Sequence, residues 1–175
     1  MKLSLTNKII KSTAVIALSL LLTPWTGIVN SSAHTTDESI YLGGSWVRDE
    51  AGWRFYSEWN GVYPAGQWGE YEDHSYYFMD NSYLATGWTF VNDRWYYFNP
   101  HEGKYQGSMM TGWIFDADYD GWFYTNELGI MVTGWHKIGG YWYYFQTESD
   151  GKQGLMAANQ FIEGFYVNSD GQMNE

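Results

Sequence analysis

Gly87-Trp88-Thr89-Phe90-Val91-Asn92-Asp93-Arg94-Trp95-Tyr96-Tyr97-Phe98-Asn99 is the stretch from which the fold can be read. Two runs rich in aromatic and β-branched residues flank Asn92-Asp93, a short polar pair of the kind that reverses a chain between strands. The stretch therefore reads as a β-hairpin. Side chains alternate faces along a strand, so Trp95 and Tyr97 share one face, and Tyr96 and Phe98 the other.

Working outward, the same pattern returns along the chain. Gly-Trp or a close equivalent marks Trp46, Trp68, Trp88, Trp113 and Trp135, at intervals of 22, 20, 25 and 22 residues. An aromatic run follows each: Trp53 to Tyr56, Tyr76 to Phe78, Trp95 to Phe98, Trp122 to Tyr124, and Trp142 to Phe145. Turn-forming residues lie between, such as Asp118-Tyr119-Asp120-Gly121 and Gly139-Gly140. Most units close on a third mark, at Leu84, Met110, Met131 and Met156. A hairpin of some 20 residues cannot bury its own apolar face, so its neighbours must stack on it. The expected fold is all-β, a solenoid of stacked β-hairpin repeats of about 20–25 residues. The expected organisation is five hairpin repeats over 44–159, preceded by a lead at 34–43 and followed by a degenerate terminal cap at 160–175. In that cap Gln160 stands where a Trp is due.

Composition agrees with an unusual use of rings: 11 Trp, 16 Tyr and 9 Phe among 175 residues, with no Cys. The absence of Cys excludes disulfides and thiol chemistry. Residues 1–33 differ in kind. Lys2, Lys8 and Lys11 precede an apolar run from Thr13 to Leu22, and Ser31-Ser32-Ala33 forms a small-residue cleavage site, the pattern of a secretory signal peptide. The run is too short to span a bilayer, which takes about 20 apolar residues, and no membrane span is expected. Without the three lysines, 6 Lys and Arg face 20 Asp and Glu, a net charge of −14. That balance argues against nucleic acid, whose phosphates require clustered cations.

The units Gly87 to Trp113 and Gly134 to Met156 resemble the choline-binding, or cell-wall-binding, repeat of Gram-positive surface proteins. The resemblance runs over roughly residues 44–173 and weakens at both ends. It implies a left-handed superhelix in which choline sits between consecutive hairpins, held by two rings of one repeat and a third from the next. Carried over by motif position, the implied choline-binding pairs are Trp46 with Trp53, Trp68 with Tyr76, Trp88 with Trp95, Trp113 with Trp122, and Trp135 with Trp142. Which residue supplies the third ring stays open. The resemblance further implies a secreted module, at the cell wall or surface, that binds choline of teichoic or lipoteichoic acid.

Other signals are discounted on context. Asp116, Asp118, Asp120, Gly121 and Glu127 satisfy the EF-hand spacing, yet they fall where the repeat demands a hairpin turn rather than flanking helices. His34, His74, His101 and His136 are scattered singly, so no metal site is expected. No nucleophile elbow, phosphate loop or dinucleotide fingerprint occurs. The repeats occupy the remaining sequence, so neither an enzyme activity nor a cofactor is expected. Two readings compete with choline binding. Stacking of the rings on carbohydrate, as in the similar repeats of toxins and glucosyltransferases, is one. Scaffolding or self-association, including a homodimer, is the other.

Overall fold

The structure, a computed structural model, describes residues 40–173. The expected signal peptide and most of the lead lie outside the described residues. Everything described is strand, turn or loop, and the strands pair as six antiparallel hairpins. Hairpin 1 joins β2 (Gly44–Asp49) to β3 (Gly52–Ser57), and hairpin 2 joins β4 (Gln67–Tyr71) to β5 (His74–Phe78). Hairpin 3 is β6 (Gly87–Val91) with β7 (Arg94–Phe98), and hairpin 4 is β8 (Gly112–Asp116) with β9 (Gly121–Thr125). Hairpin 5 is β10 (Gly134–Ile138) with β11 (Tyr141–Phe145), and hairpin 6 is β12 (Gln160–Ile162) with β13 (Phe165–Val167). A short strand β1 (Ile40–Tyr41) runs parallel to β4 and widens hairpin 2 to three strands.

The turns explain why these sequences fold back. Glu72-Asp73 and Asn92-Asp93 hold positive φ at both positions (46° and 62°, 48° and 62°), the backbone of the mirror-image turn that matches strand twist. Gly139-Gly140 and Glu163-Gly164 do the same. The longer turn of hairpin 4 closes through Asp120 at φ 46°.

Register makes the hairpins equivalent. Trp46 faces Phe55, Trp68 faces Tyr77, Trp88 faces Tyr97, Trp113 faces Tyr124, and Trp135 faces Tyr144. The same register corrects the reading of the cap. Gln160 pairs with Val167 as Gly134 pairs with Phe145, and Phe161, opposite Tyr166, takes the place of the Gly-Trp indole. The cap is thus a sixth hairpin whose strands are two residues shorter. Its ring Phe161 is 72 % exposed because no seventh hairpin follows among the described residues.

Each hairpin lays its indole face on the opposite face of the next. Trp46 meets Tyr76 and Phe78 at centroid distances of 5.2 and 6.0 Å; Trp68 meets Tyr96 and Phe98 at 4.9 and 5.6 Å; Trp113 meets Tyr143 and Phe145 at 4.8 and 5.9 Å. Phe78, Phe98 and Phe145 are fully buried. The core is therefore a series of joints between neighbours, as the inability of one hairpin to bury its own face requires.

The chain after each hairpin pins it to the hairpin before. The N–H of Leu84, Met109, Met131, Met156 and Met173 donates to the carbonyl of Trp53, Ser75, Trp95, Trp122 and Trp142 respectively, at 2.7–2.9 Å. The last four of these loops also bring a glycine over the previous closing residue: Gly107 on Leu84, Gly129 on Met109, Gly154 on Met131, Gly171 on Met156. A Cβ at any of the four would overlap that side chain, and all four have left-handed φ between 74° and 83°.

Candidate functional site

The backbone bonds just described identify which residue of each hairpin stands at the mouth of its joint. In hairpins 1, 3, 4 and 5 it is an indole: Trp53, Trp95, Trp122 and Trp142. In hairpin 2 it is Ser75, seven residues after Trp68, as Trp53 follows Trp46 and Trp95 follows Trp88. The sequence pairing of Trp68 with Tyr76 is therefore out of register by one residue. Tyr76 points to the other side of its strand and meets Trp46, so it serves the first joint rather than the second.

Three joints open as clefts. At the first, Trp46 and Trp53 stand edge to face, 6.5 Å apart at 87°, beside Leu84, Gly103, Lys104 and Gln106. The Trp53 Nε1–H donates to Gln106 Oε1 at 3.1 Å, which fixes the indole plane. The third joint is lined by Trp88, Trp95, Tyr119, Phe123, Met131, Ser149, Gly151 and Gln153, with Trp88 Nε1–H donating to Asp116 Oδ2 at 3.0 Å. The fourth repeats the first: Trp113 and Trp122 lie 6.3 Å apart at 88°, and Tyr143, Met156, Asp170 and Gln172 complete the wall. Cleft volumes are about 330 Å³ at the first joint and 310 Å³ at the fourth. The third holds about 110 Å³, with Tyr119 from the long turn of hairpin 4 among its lining residues.

The ring that packs across each joint on the Gly-Trp indole, the candidate for the third ring left open by the sequence, has a constant address. It is the residue directly after the mouth position in the next hairpin: Tyr76, Tyr96, Phe123, Tyr143 and Phe165, 4.8–6.1 Å from the indole of the preceding Gly-Trp position. The signal for it was the buried alternate of each aromatic run, which periodicity separates but does not orient.

Not all joints are alike. At the second, Trp68 is 3 % exposed, Tyr96 and Ser75 are also buried, and the Ser75 hydroxyl donates to Glu70 Oε1 at 2.8 Å. No indole face is offered to solvent there. At the fifth, Trp135 and Phe165 are 6.1 Å apart at 85°, Trp142 is 41 % exposed, and Trp135 Nε1–H donates to Glu163 Oε2.

Charge around the clefts is mostly negative, with Asp116, Asp170 and Glu163 at the third, fourth and fifth. Burial holds the Glu70 carboxyl above its usual range, against the opposing pull of the Ser75 hydrogen bond. Burial, aided by the Glu72 charge, pushes the Tyr76 phenol up to about 12, so the third ring of the first joint stays neutral at any physiological pH. The EF-hand spacing does not assemble a metal cradle: Asp116 accepts the Asp118 N–H and the Trp88 indole. No group of three or more His, Cys, Asp or Glu among the described residues is placed to hold a metal ion. Nor is any described helix long and apolar enough to cross a membrane.

A family described as "Putative cell wall binding repeat" matches residues 86–100 and 133–152, which contain hairpins 3 and 5. The chain is 34 % identical over 86 residues to a "Putative endo-beta-N-acetylglucosaminidase" of Streptococcus pneumoniae serotype 4, a match covering 48 % of this chain and 12 % of that protein. It resembles the crystal structure of choline binding protein F from Streptococcus pneumoniae, at 29 % identity and a TM-score of 0.52, over 76 % of this chain and 47 % of the other. It also resembles the pneumococcal cell wall endolysin from phage Cp-1 complexed with choline, at 31 % identity and a TM-score of 0.53, over 81 % and 40 %. The chain thus spans about an eighth of the curated relative and less than half of the two solved ones. With the hairpins, their stacking and the matched residues in agreement, residues 86–100 and 133–152 are repeats of the cell-wall-binding family, and the hairpins around them share the fold of choline-binding proteins.

Proposed function

We propose that the chain is a non-enzymatic attachment module whose clefts each take the quaternary ammonium of choline, carried on teichoic or lipoteichoic acid at the surface of a Gram-positive bacterium. The observation that carries this reading is the fourth joint, where Trp113, Trp122 and Tyr143 line an open cleft with two indoles at right angles. A trimethylammonium head has no N–H to donate, so it must be held by ring quadrupoles and apolar contact. Faces set at right angles enclose such a head from two sides. Each ring contributes about 0.5–2 kcal/mol. Three rings at that scale, with apolar contact to the methyls, suit a weak ligand of about millimolar affinity per cleft, a net of about 4 kcal/mol.

The pairs assigned to ligand are Trp46 with Trp53, Trp88 with Trp95, Trp113 with Trp122, and Trp135 with Trp142. Trp68 and Tyr76 are not paired, because Ser75 fills the mouth of the second joint. Several weak sites engaging one polymer give avidity on the order of 100-fold or more, enough for retention at a wall. The endolysin with which the chain shares its fold was solved with choline, which supports the ligand class.

Titration of intrinsic Trp fluorescence with choline, together with elution from a quaternary-amine resin, tests the proposal. A saturable spectral change and elution by millimolar choline are expected. Indifference to choline, with elution by glucan oligosaccharides instead, would overturn it.

A further inference from the structure

The first and third clefts share a plan but not their chemistry: the third is smaller, with Tyr119 in its lining and Asp116 on its Trp88 indole, and a cation lines only the first of the two. Each is closed by a ten-residue loop from two hairpins further on, 99–108 and 146–155. Gln106 and Gln153 occupy the same place, eight residues after the buried Phe98 and Phe145, and both line their clefts. Six residues after the same phenylalanines stand Lys104 and Gly151, which also line them. One cleft therefore has a lysine in its lining, with Nζ resting 5.2 Å from the Tyr105 ring centre, where its counterpart has a glycine.

The loop that delivers Lys104 is held firmly. Tyr105 stacks on His74 at 4.5 Å and 17°, Asn99 Nδ2 donates to the Tyr105 carbonyl, and Trp53 donates to Gln106. Lys104 Nζ lies 3.2 Å from Glu72 Oε2, an exposed pair, and such pairs are weak and easily exchanged. An ammonium has three donors, and one carboxylate does not exhaust them. A second cation reaches the same indole: the Arg48 guanidinium is 5.5 Å from the Trp53 ring centre and pairs with Glu102. A cation at a cage mouth repels a bare quaternary amine but suits a zwitterion whose anion lies just beyond it. In phosphocholine, two carbons and one oxygen separate the nitrogen from the phosphorus.

We infer that the first joint recognises phosphocholine as a whole, the amine between Trp46 and Trp53 and the phosphate on Lys104, whereas the third joint reads the amine alone. This rests on the cage reading above, and the test separates the two. Indole N–H resonances of the ¹⁵N-labelled full chain, assigned with Trp53→Phe and Trp95→Phe, are followed during titration with choline and, separately, phosphocholine.

At Trp53, phosphocholine should half-saturate at about fivefold lower concentration than choline, the scale of one exposed charge contact. At Trp95 the two ligands should agree within about twofold. Lys104→Gln should remove the difference at Trp53 while keeping the choline response, and Lys104→Arg should preserve it. Equal half-saturation at Trp53, or a preference that survives Lys104→Gln, overturns the inference. If neither ligand moves either resonance, the cage itself fails.

Phosphatidylcholine vesicles present the same group on a bilayer. Co-sedimentation weakened by Lys104→Gln supports the inference with a lipid source, and co-sedimentation indifferent to that change counts against it. No co-sedimentation, with the free-ligand difference intact, supports a polymer-borne group.

Discussion

Trp122 is 43 % exposed, stands at right angles to Trp113 and packs edge-on against Phe115 at 5.2 Å, while its backbone carbonyl accepts the Met156 N–H. Part of its ring is open to a ligand, and Phe115 is itself exposed, so its removal costs little buried packing. Trp122→Ala should lower the choline stoichiometry measured by calorimetry by one cleft while leaving the melting temperature nearly unchanged. A full complement of sites in that variant would remove the fourth joint from the proposal.

Glu70 gives a residue-scale prediction about pH. Because burial raises its carboxyl, the native state binds more protons than the unfolded chain above the ordinary carboxylate range. Stability should therefore fall as pH rises through that window. Glu70→Gln keeps an acceptor for the Ser75 hydroxyl and removes the charge. Its urea midpoint should exceed the parent's at neutral pH, and the gap should close on acidification toward pH 4. A gap that widens on acidification would contradict the assignment.

At the scale of the element, the loop glycines govern how closely one repeat follows another. Gly154 has φ +83° and lies against the Met131 side chain, so Gly154→Ala meets both a left-handed backbone and an occupied space. A loss of about 1–3 kcal/mol is expected, read from chemical denaturation. Ala tolerated without loss would show that Met131 moves aside freely. The two-residue turns are less demanding, since Asn92 and Asp93 already adopt left-handed backbone without glycine.

At the scale of the molecule, stability is a chain of nearest-neighbour joints, with no single core uniting the hairpins among the described residues. Phe145, fully buried against Trp113 and Tyr124, belongs to the fourth joint. Phe145→Ala should cost about 3–5 kcal/mol at that joint. Amide exchange should quicken through hairpins 4 to 6 while hairpins 1 and 2 keep their protection. Uniform loss of protection along the chain would instead indicate one cooperative unit.

The hairpins were legible in the sequence because strand alternation and turn chemistry are local: Asn92-Asp93 and the aromatic runs announce themselves without any partner. The stacking was legible too, since one hairpin of this size has nowhere to bury its rings. What the sequence by itself determined was thus the all-β repeat and three of the Trp pairs that line open clefts, Trp46 with Trp53, Trp88 with Trp95 and Trp113 with Trp122. It misassigned Tyr76, although the seven-residue spacing from Trp68 led to Ser75, because an aromatic at the edge of the pattern outweighed the count. It likewise missed Phe161 at the indole place of the cap, where the Gly-Trp mark had been lost.

Only the tertiary structure decided which face of each run meets the next hairpin, hence which ring packs across each joint on the Gly-Trp indole. Only it set Lys104 at one cleft and Gly151 at its counterpart. Those outcomes depend on residues from three successive repeats converging on one point, and such convergence is a property of stacking geometry that no single repeat contains.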